Sequence, residues 1–195
     1  MHMRANYAPE RRRIIRSLRV QHMPPVFTRL LAERLNARSP LSVHEAVAGA
    51  RLEPGHVWVA PGNYHMTVVR KGREVVLDLN QDPPENSCRP AVDVLFRSVA
   101  HTYASHSLAV VMTGMGSDGT RGARSIHDAG GQILVQDEAT SVVWGMPGSV
   151  AGLGLADQIR PLKQIAPEVV RRVTSSIAGV RNPEGRTSIQ RETVQ

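Results

Sequence analysis

Cysteine occurs once in the 195 residues, at Cys88. That excludes an internal disulfide and any zinc cluster built from cysteines, and it suits a reducing cytoplasm. Aromatic residues are almost as scarce, at 4% of the chain, so aliphatic side chains must fill the core that a 41% hydrophobic content supports. No apolar run approaches the roughly 18 residues needed to span a bilayer, so no membrane insertion is expected. The start of the chain has arginines but no hydrophobic signal core. Metal-binding patterns are missing too: the histidines are scattered, with no His-x-His or His-Glu-x-x-His spacing, so neither a metal nor a cofactor is expected. Charge, by contrast, is plentiful and uneven. The net charge is +7, with Arg11, Arg12, Arg13, Arg16 and Arg19 crowding one end and Arg171, Arg172, Arg181, Arg186 and Arg191 the other. No aromatics interleave with these arginines as a stacking platform requires, so no nucleic-acid partner is expected. They read as solvated flanks or as attraction to an acidic protein partner.

Along the chain, residues 1–13 read as an unstructured basic lead. A short strand is predicted over Ile14–Val20, ending at Gln21-His22-Met23. Pro24-Pro25 then opens a helix over Phe27–Asn36, with Phe27, Leu30, Leu31 and Leu35 at helical spacing. Alternation between Val43 and Asn80 predicts strands around Val57–Val59, Met66–Val69 and Val75–Leu79, with Lys71-Gly72 as a hairpin turn. Val92–Tyr103 reads as a helix. Three α/β units follow, with strands at Leu108–Met112, Gln132–Gln136 and Gln158–Pro161. Their helices are predicted over 119–129, after Gly145-Met146-Pro147, and over Pro167–Ile177. Such alternation predicts a doubly wound, mostly parallel three-layer sheet, with residues 55–80 as an antiparallel hairpin. The domain is expected over 14–178, and the polar, Gly- and Pro-marked segment 179–195 reads as a disordered tail.

The chemistry concentrates at Gly114-Met115-Gly116-Ser117-Asp118-Gly119, a glycine-rich loop directly after an apolar strand. By spacing it is G-x-G-x-x-G, and Asp137 stands at the end of the next strand, where a ribose-binding carboxylate belongs. A dinucleotide site on Gly114, Gly116, Gly119 and Asp137 is therefore one reading. Against it, Asp118 would place negative charge where a pyrophosphate needs bare amides. Asp118 is alternatively a simple helix cap, or a carboxylate that orients an imidazole from a neighbouring strand. His22, held by Pro24-Pro25 at a strand end, is the candidate imidazole; equally it is a surface histidine. His65 reads as part of a turn between strands, and His101, His106 and His127 as surface.

Six segments, in unbroken order over about residues 20–175, resemble the catalytic domain of CheB-type protein-glutamate methylesterases. They are Gln21-His22-Met23-Pro24, Ala60-Pro61-Gly62 with His65-Met66, Arg89–Phe96, Thr113–Gly119, Gln136-Asp137-Glu138, and Val143-Trp144-Gly145-Met146-Pro147. The resemblance implies a cytoplasmic chemotaxis hydrolase of α/β fold, with a Ser-His-Asp triad. Its reaction takes protein glutamate methyl esters to glutamate and methanol, with glutamine deamidation in many members. It implies His22 and Asp118 as catalytic residues and the Met115 N–H as an oxyanion donor. The implied partners are the cytoplasmic helices of methylated chemoreceptors, together with a receiver domain or a chemotaxis kinase system.

One member of the triad has no counterpart. The family's serine sits in a Gly-x-Ser-x-Gly-Gly turn after its first strand, and the resemblance puts that turn ahead of Met1. Residues 1–20 contain no glycine, and Ser17, inside the predicted strand, is the only serine before His22. The family's first strand and helix are likewise unmatched, so the expectation is a domain truncated at its N-terminus and inactive by itself. A non-catalytic, receptor-binding pseudo-enzyme is the alternative.

Overall fold

A computed structural model of the chain describes residues 15–180, with side chains described through 175. The basic lead and residues 181–195 lie outside the described residues. Among the described residues, two three-stranded parallel sheets, rather than one continuous sheet, organise the fold. The first has the order β1 (Ser17–Arg19), β3 (His56–Val59), β2 (Ser42–Glu45). The second has the order β6 (Leu108–Val111), β7 (Gln132–Gln136), β8 (Gln158–Arg160). The antiparallel hairpin is confined to β4 (His65–Lys71) and β5 (Glu74–Asn80). Its expected start at 55 needs correction. His56–Val59 pairs parallel with both β1 and β2, because Val57 and Val59 are needed under a helix and cannot also line the hairpin.

The helices follow the apolar spacing closely. α1 (Phe27–Asn36) closes the first sheet by packing Leu31, Ala32 and Leu35 onto Val43, Val57 and Val59. The helix α2 (Val92–Tyr103) borders both larger cores, contributing Leu95 beside Met66, Val68 and Leu77, and Val92 beside Ala109, Val111 and Ile126. α3 (Thr120–Asp128) ends at Gly130, whose φ of 78° makes it the left-handed stop that Gly130-Gly131 predicts. α4 (Met146–Gly152) begins with its proline in the first turn, a position that needs no N–H.

The last helix, α5 (Leu162–Val180), starts a full turn before the predicted Pro167 and runs past the predicted helix end at Ile177. Thr140 Oγ1 accepts from the Leu162 N–H at 2.9 Å and so starts the helix from a distant loop, which local spacing does not show. Glu168, clasped by Arg171 and Arg172, is held at a pKa of about 2, and Arg172 also reaches Gln132 of β7 at 2.7 Å. These bonds tie α5 to the second sheet. Among the described residues, no helix is long and apolar enough to cross a membrane.

Candidate active site

Each parallel sheet delivers one side chain to the same point. The chain leaving β1 reaches His22, and the chain leaving β6 turns through the glycine-rich loop to Asp118. His22 Nε2 lies 2.7 Å from Asp118 Oδ2. An acceptor carboxylate at that distance puts the ring proton on Nε2 and leaves Nδ1 as the basic nitrogen of the neutral ring. Both loops are braced from behind. Gly62 sits so close to Pro24 and Pro25 that a Cβ would overlap their backbone, which fixes the turn that carries His22. The glycine at 114 is clamped by Val143 and Met146: its N–H donates to the Val143 carbonyl at 3.2 Å, and its carbonyl accepts from the Met146 N–H at 2.8 Å. Buried Gln136 supports the same loop by accepting from the Thr113 N–H at 3.0 Å and donating to the Thr140 carbonyl at 2.7 Å. Gly116 and Gly119, with φ of 83° and 91°, let the chain turn between strand and helix.

Asp118 caps a helix, though not its own. It is 2% exposed and accepts five hydrogen bonds. Two come from the first amides of α2, Val92 N–H at 2.7 Å and Asp93 N–H at 3.0 Å. The others come from His22, Asn86 Nδ2 and the Gly119 N–H. Asp93 reciprocates from α2 by accepting from the Gly122 N–H of α3 at 2.6 Å. Asn86 joins the pair by donating to Asp93 Oδ2 at 2.8 Å and Asp118 Oδ1 at 3.0 Å. Two helices thus start on each other's carboxylates. Burial alone would raise the Asp118 pKa, but the bonds from His22, Val92, Asp93 and Asn86 outweigh it and hold the carboxyl below its ordinary range.

The same bonds answer the dinucleotide reading. The amides that would cradle a phosphate at the start of α3 are taken by carboxylates, Gly119 N–H by Asp118 and Gly122 N–H by Asp93. Asp137 turns back on its own loop, with Oδ1 accepting from the Thr140 N–H and hydroxyl. Met115 is 84% exposed at the apex of the loop, beside the histidine-aspartate pair in sequence but outside its hydrogen bonds.

Three site-building residues escaped the sequence reading. Asn86 and Cys88 lie in the segment between β5 and α2, where no periodicity marks them. His65, expected in a turn, is instead 1% exposed at the start of β4. It is needed there to hold that segment: Nδ1 accepts from the Ala91 N–H and Nε2 donates to the Pro83 carbonyl, each at 3.2 Å. Arg89 adds bonds to Asn63 and to the Gln81 and Asp82 carbonyls. The result places Cys88 Sγ, a His22 ring nitrogen and an Asp118 oxygen within 4.8 Å of one another. Burial and the charge on Asp118 both push the Cys88 thiol up, which favours S–H over the thiolate. Asp118 already spends its lone pairs on five donors, so the trio does not offer a metal a free carboxylate.

Comparison with known proteins is consistent with this geometry. The sequence matches the CheB methylesterase family over residues 14–169. It is 59% identical over 154 residues to a protein-glutamate methylesterase/protein-glutamine glutaminase of Trichodesmium erythraeum, covering 79% of this chain and 44% of that protein. A protein of the same description from Nocardioides sp. is 54% identical over 154 residues, covering 79% of this chain and 42% of the relative. The chain therefore spans less than half the length of these curated relatives. Among solved structures it is similar to the Thermotoga maritima CheB methylesterase catalytic domain, with a TM-score of 0.78 and 41% identity, covering 80% of this chain and 82% of that one.

Proposed function

This chain belongs to the CheB methylesterase family, and from that premise we propose that it carries the proton-handling half of a protein-glutamate methylesterase and glutaminase site. The observation that carries the reading is the 2.7 Å contact between His22 Nε2 and the buried, saturated Asp118 carboxylate. In the complete reaction a serine hydroxyl attacks the γ-ester carbonyl as His22 Nδ1 takes its proton. The imidazolium, steadied by Asp118, returns that proton to the departing methoxide, which leaves as methanol. Water then adds to the acyl-enzyme with the same histidine as base, releasing glutamate and regenerating the serine. The Met115 N–H, on a loop tip with no internal partner among the described residues, is the proposed oxyanion donor. The substrates are glutamate methyl esters on the cytoplasmic helices of chemoreceptors, with steering by the chain's net charge of +7 and a receiver domain or kinase system as regulator.

The family's Gly-x-Ser-x-Gly-Gly turn has no counterpart among the residues given. Ser17 is in the ladder of β1 against Val57, not at the strand end where His22 stands. Cys88, whose Sγ lies within 4.8 Å of a His22 ring nitrogen, is held as a thiol. This chain by itself therefore binds receptor without hydrolysing it. The test is methanol and ammonia release from methylated receptor helices, with co-sedimentation to read binding. Expected are binding and release at the background rate, unchanged by His22→Ala. Turnover that His22→Ala abolishes would overturn the inactivity. Absence of co-sedimentation would overturn receptor binding.

A further inference from the structure

Cys88 stands against His22 although nothing in the linear sequence brings the two together. A tight turn presents it. Glu85 and Cys88 exchange both backbone hydrogen bonds, at 3.1 and 2.9 Å, and between them Asn86 and Ser87 take left-handed conformations, with φ of 51° and 61°. That is the two-residue turn whose central residues both need positive φ. It is anchored at each end: Glu85 accepts from Arg97 of α2, and Arg89 donates to Asn63 and to the Gln81 and Asp82 carbonyls. Asn86, inside the turn, is bonded to Asp93 and Asp118. The network that saturates Asp118 therefore also fixes the thiol, with Sγ within 4.8 Å of a His22 ring nitrogen.

A sulfur and an imidazole held on separate braced loops are a donor set for borderline and soft cations. On one zinc ion, with nitrogen at about 2.0–2.1 Å and sulfur at about 2.3 Å, such donors stand roughly 3.5–4.4 Å apart. Rotation of the Cys88 side chain covers the difference. Asp118 contributes from behind. A ligating histidine characteristically donates its other ring N–H to a carboxylate, which fixes the tautomer and makes the free nitrogen a stronger donor to the metal. Asp118 Oδ2 accepts from His22 Nε2 at 2.7 Å and leaves Nδ1 with its lone pair. With its own lone pairs taken, Asp118 orients a ligand without being one. Access is open, since His22 is 29% exposed at its side chain and Cys88 is partly exposed. Water supplies the remaining positions.

We propose that Cys88 Sγ and His22 Nδ1 together hold one thiophilic divalent cation of the zinc type, with Asp118 as the carboxylate that orients the histidine. On binding, the Cys88 proton leaves to solvent, and the thiolate and imidazole lone pairs form the two bonds to the ion; nothing is oxidised or reduced. The charge of the cation offsets that of Asp118, so the thiol of the free protein becomes a thiolate in the loaded one. The ion takes the same nitrogen that receives the serine proton in the reaction proposed above. Loaded and base-competent states therefore exclude each other. Binding needs only the His22–Asp118 contact, so its failure would leave the hydrolase reading intact.

The test is titration of the untagged full chain with Co²⁺, a spectroscopic substitute for Zn²⁺, followed by displacement with Zn²⁺ and by calorimetry. Expected is one ion per chain, with a thiolate-to-cobalt charge-transfer band in the near ultraviolet that Zn²⁺ abolishes. Cys88 is the single cysteine, so Cys88→Ser should remove the band entirely. His22→Ala should weaken Zn²⁺ binding at least tenfold, and Asp118→Asn about 10–100-fold. Should Asp118→Asn fail to fold, the Cys88 and His22 variants, which leave the helix caps in place, decide the matter. The internal competitor is the stacked pair of His44 and His56, with ring centroids 5.6 Å apart. Cobalt binding without the band, Zn²⁺ affinity unchanged in His22→Ala, or binding lost in His44→Ala instead would overturn the proposal. Receptor co-sedimentation in the presence of a chelator reads the family function separately.

Discussion

Replacing Asp118 by alanine should cost the fold far more than replacing His22. Asp118→Ala strips the acceptor from Asn86 and from three backbone amides, two of which open α2. Loss of a helix cap costs about 1 kcal/mol. The orphaned amides lie at a position only 2% exposed, and each adds a penalty of order 1–3 kcal/mol, reduced where water can enter. A total of about 3–5 kcal/mol follows, in line with breaking other buried charged networks from one side. That is a large share of a stability of about 5–15 kcal/mol. His22 is 29% exposed at its side chain, and its loss leaves Asp118 with four donors, so His22→Ala should cost about 1 kcal/mol. Urea unfolding followed by circular dichroism measures both, and with m of about 1–3 kcal/mol/M the Asp118 variant should shift its midpoint by one to several molar. Equal costs for the two variants, or a loss under about 1 kcal/mol for Asp118→Ala, would refute the shared-cap account.

Three further outcomes follow from the same contacts. Asp118 and Glu168 both have folded pKa values below their ordinary ones, so their stabilisation is full above those ordinary values, 3.8 and 4.5, and is lost as pH falls through the folded values, about 2 for Glu168. Thermal unfolding from pH 5 to pH 2 should show that decline, with a flatter slope in Asp118→Asn; an unchanged slope would count against the hydrogen-bond account. Gly62→Ala drives a methyl into the Pro24–Pro25 backbone and should cost about 3 kcal/mol, read by denaturant midpoint, whereas Gly152→Ala, with open space around its Cβ position, should be harmless or stabilising. Cys88 should react with iodoacetamide at pH 8 more slowly in the native protein than in urea, because burial and Asp118 suppress the thiolate; a faster native rate would reverse that assignment.

The sequence made the ends of the strands legible and hid what stands behind them. Apolar spacing located α1, α2 and the strand at Gln132–Gln136 with their observed bounds, because a single buried face dictates each. His22 and Asp118 were visible because proline and glycine punctuate the loops that carry them. Pairing partners were less visible: nothing local in His56–Val59 says that it lies between two parallel neighbours instead of in the hairpin. Asn86, Cys88 and His65 were missed for a related reason. Their roles arise from a non-repeating segment folding back on two helix starts, and that contact is long-range, as with Asn86 to Asp118 across 32 positions. The cap at Asp118 was foreseen on α3 and found on α2, since a side chain's nearest amides in sequence need not be its nearest in space.

The exchange of caps between α2 and α3 also separates two kinds of evidence that a site residue can provide. A carboxylate that starts a neighbouring helix has to persist for the chain to fold, whether or not any ester is ever cleaved. Asp118 would therefore outlive the loss of catalysis in a lineage, and its presence says little about selection for chemistry. His22 is the informative witness: partly exposed, bonded once and cheap to replace, it has little reason to stay unless something still uses its free nitrogen.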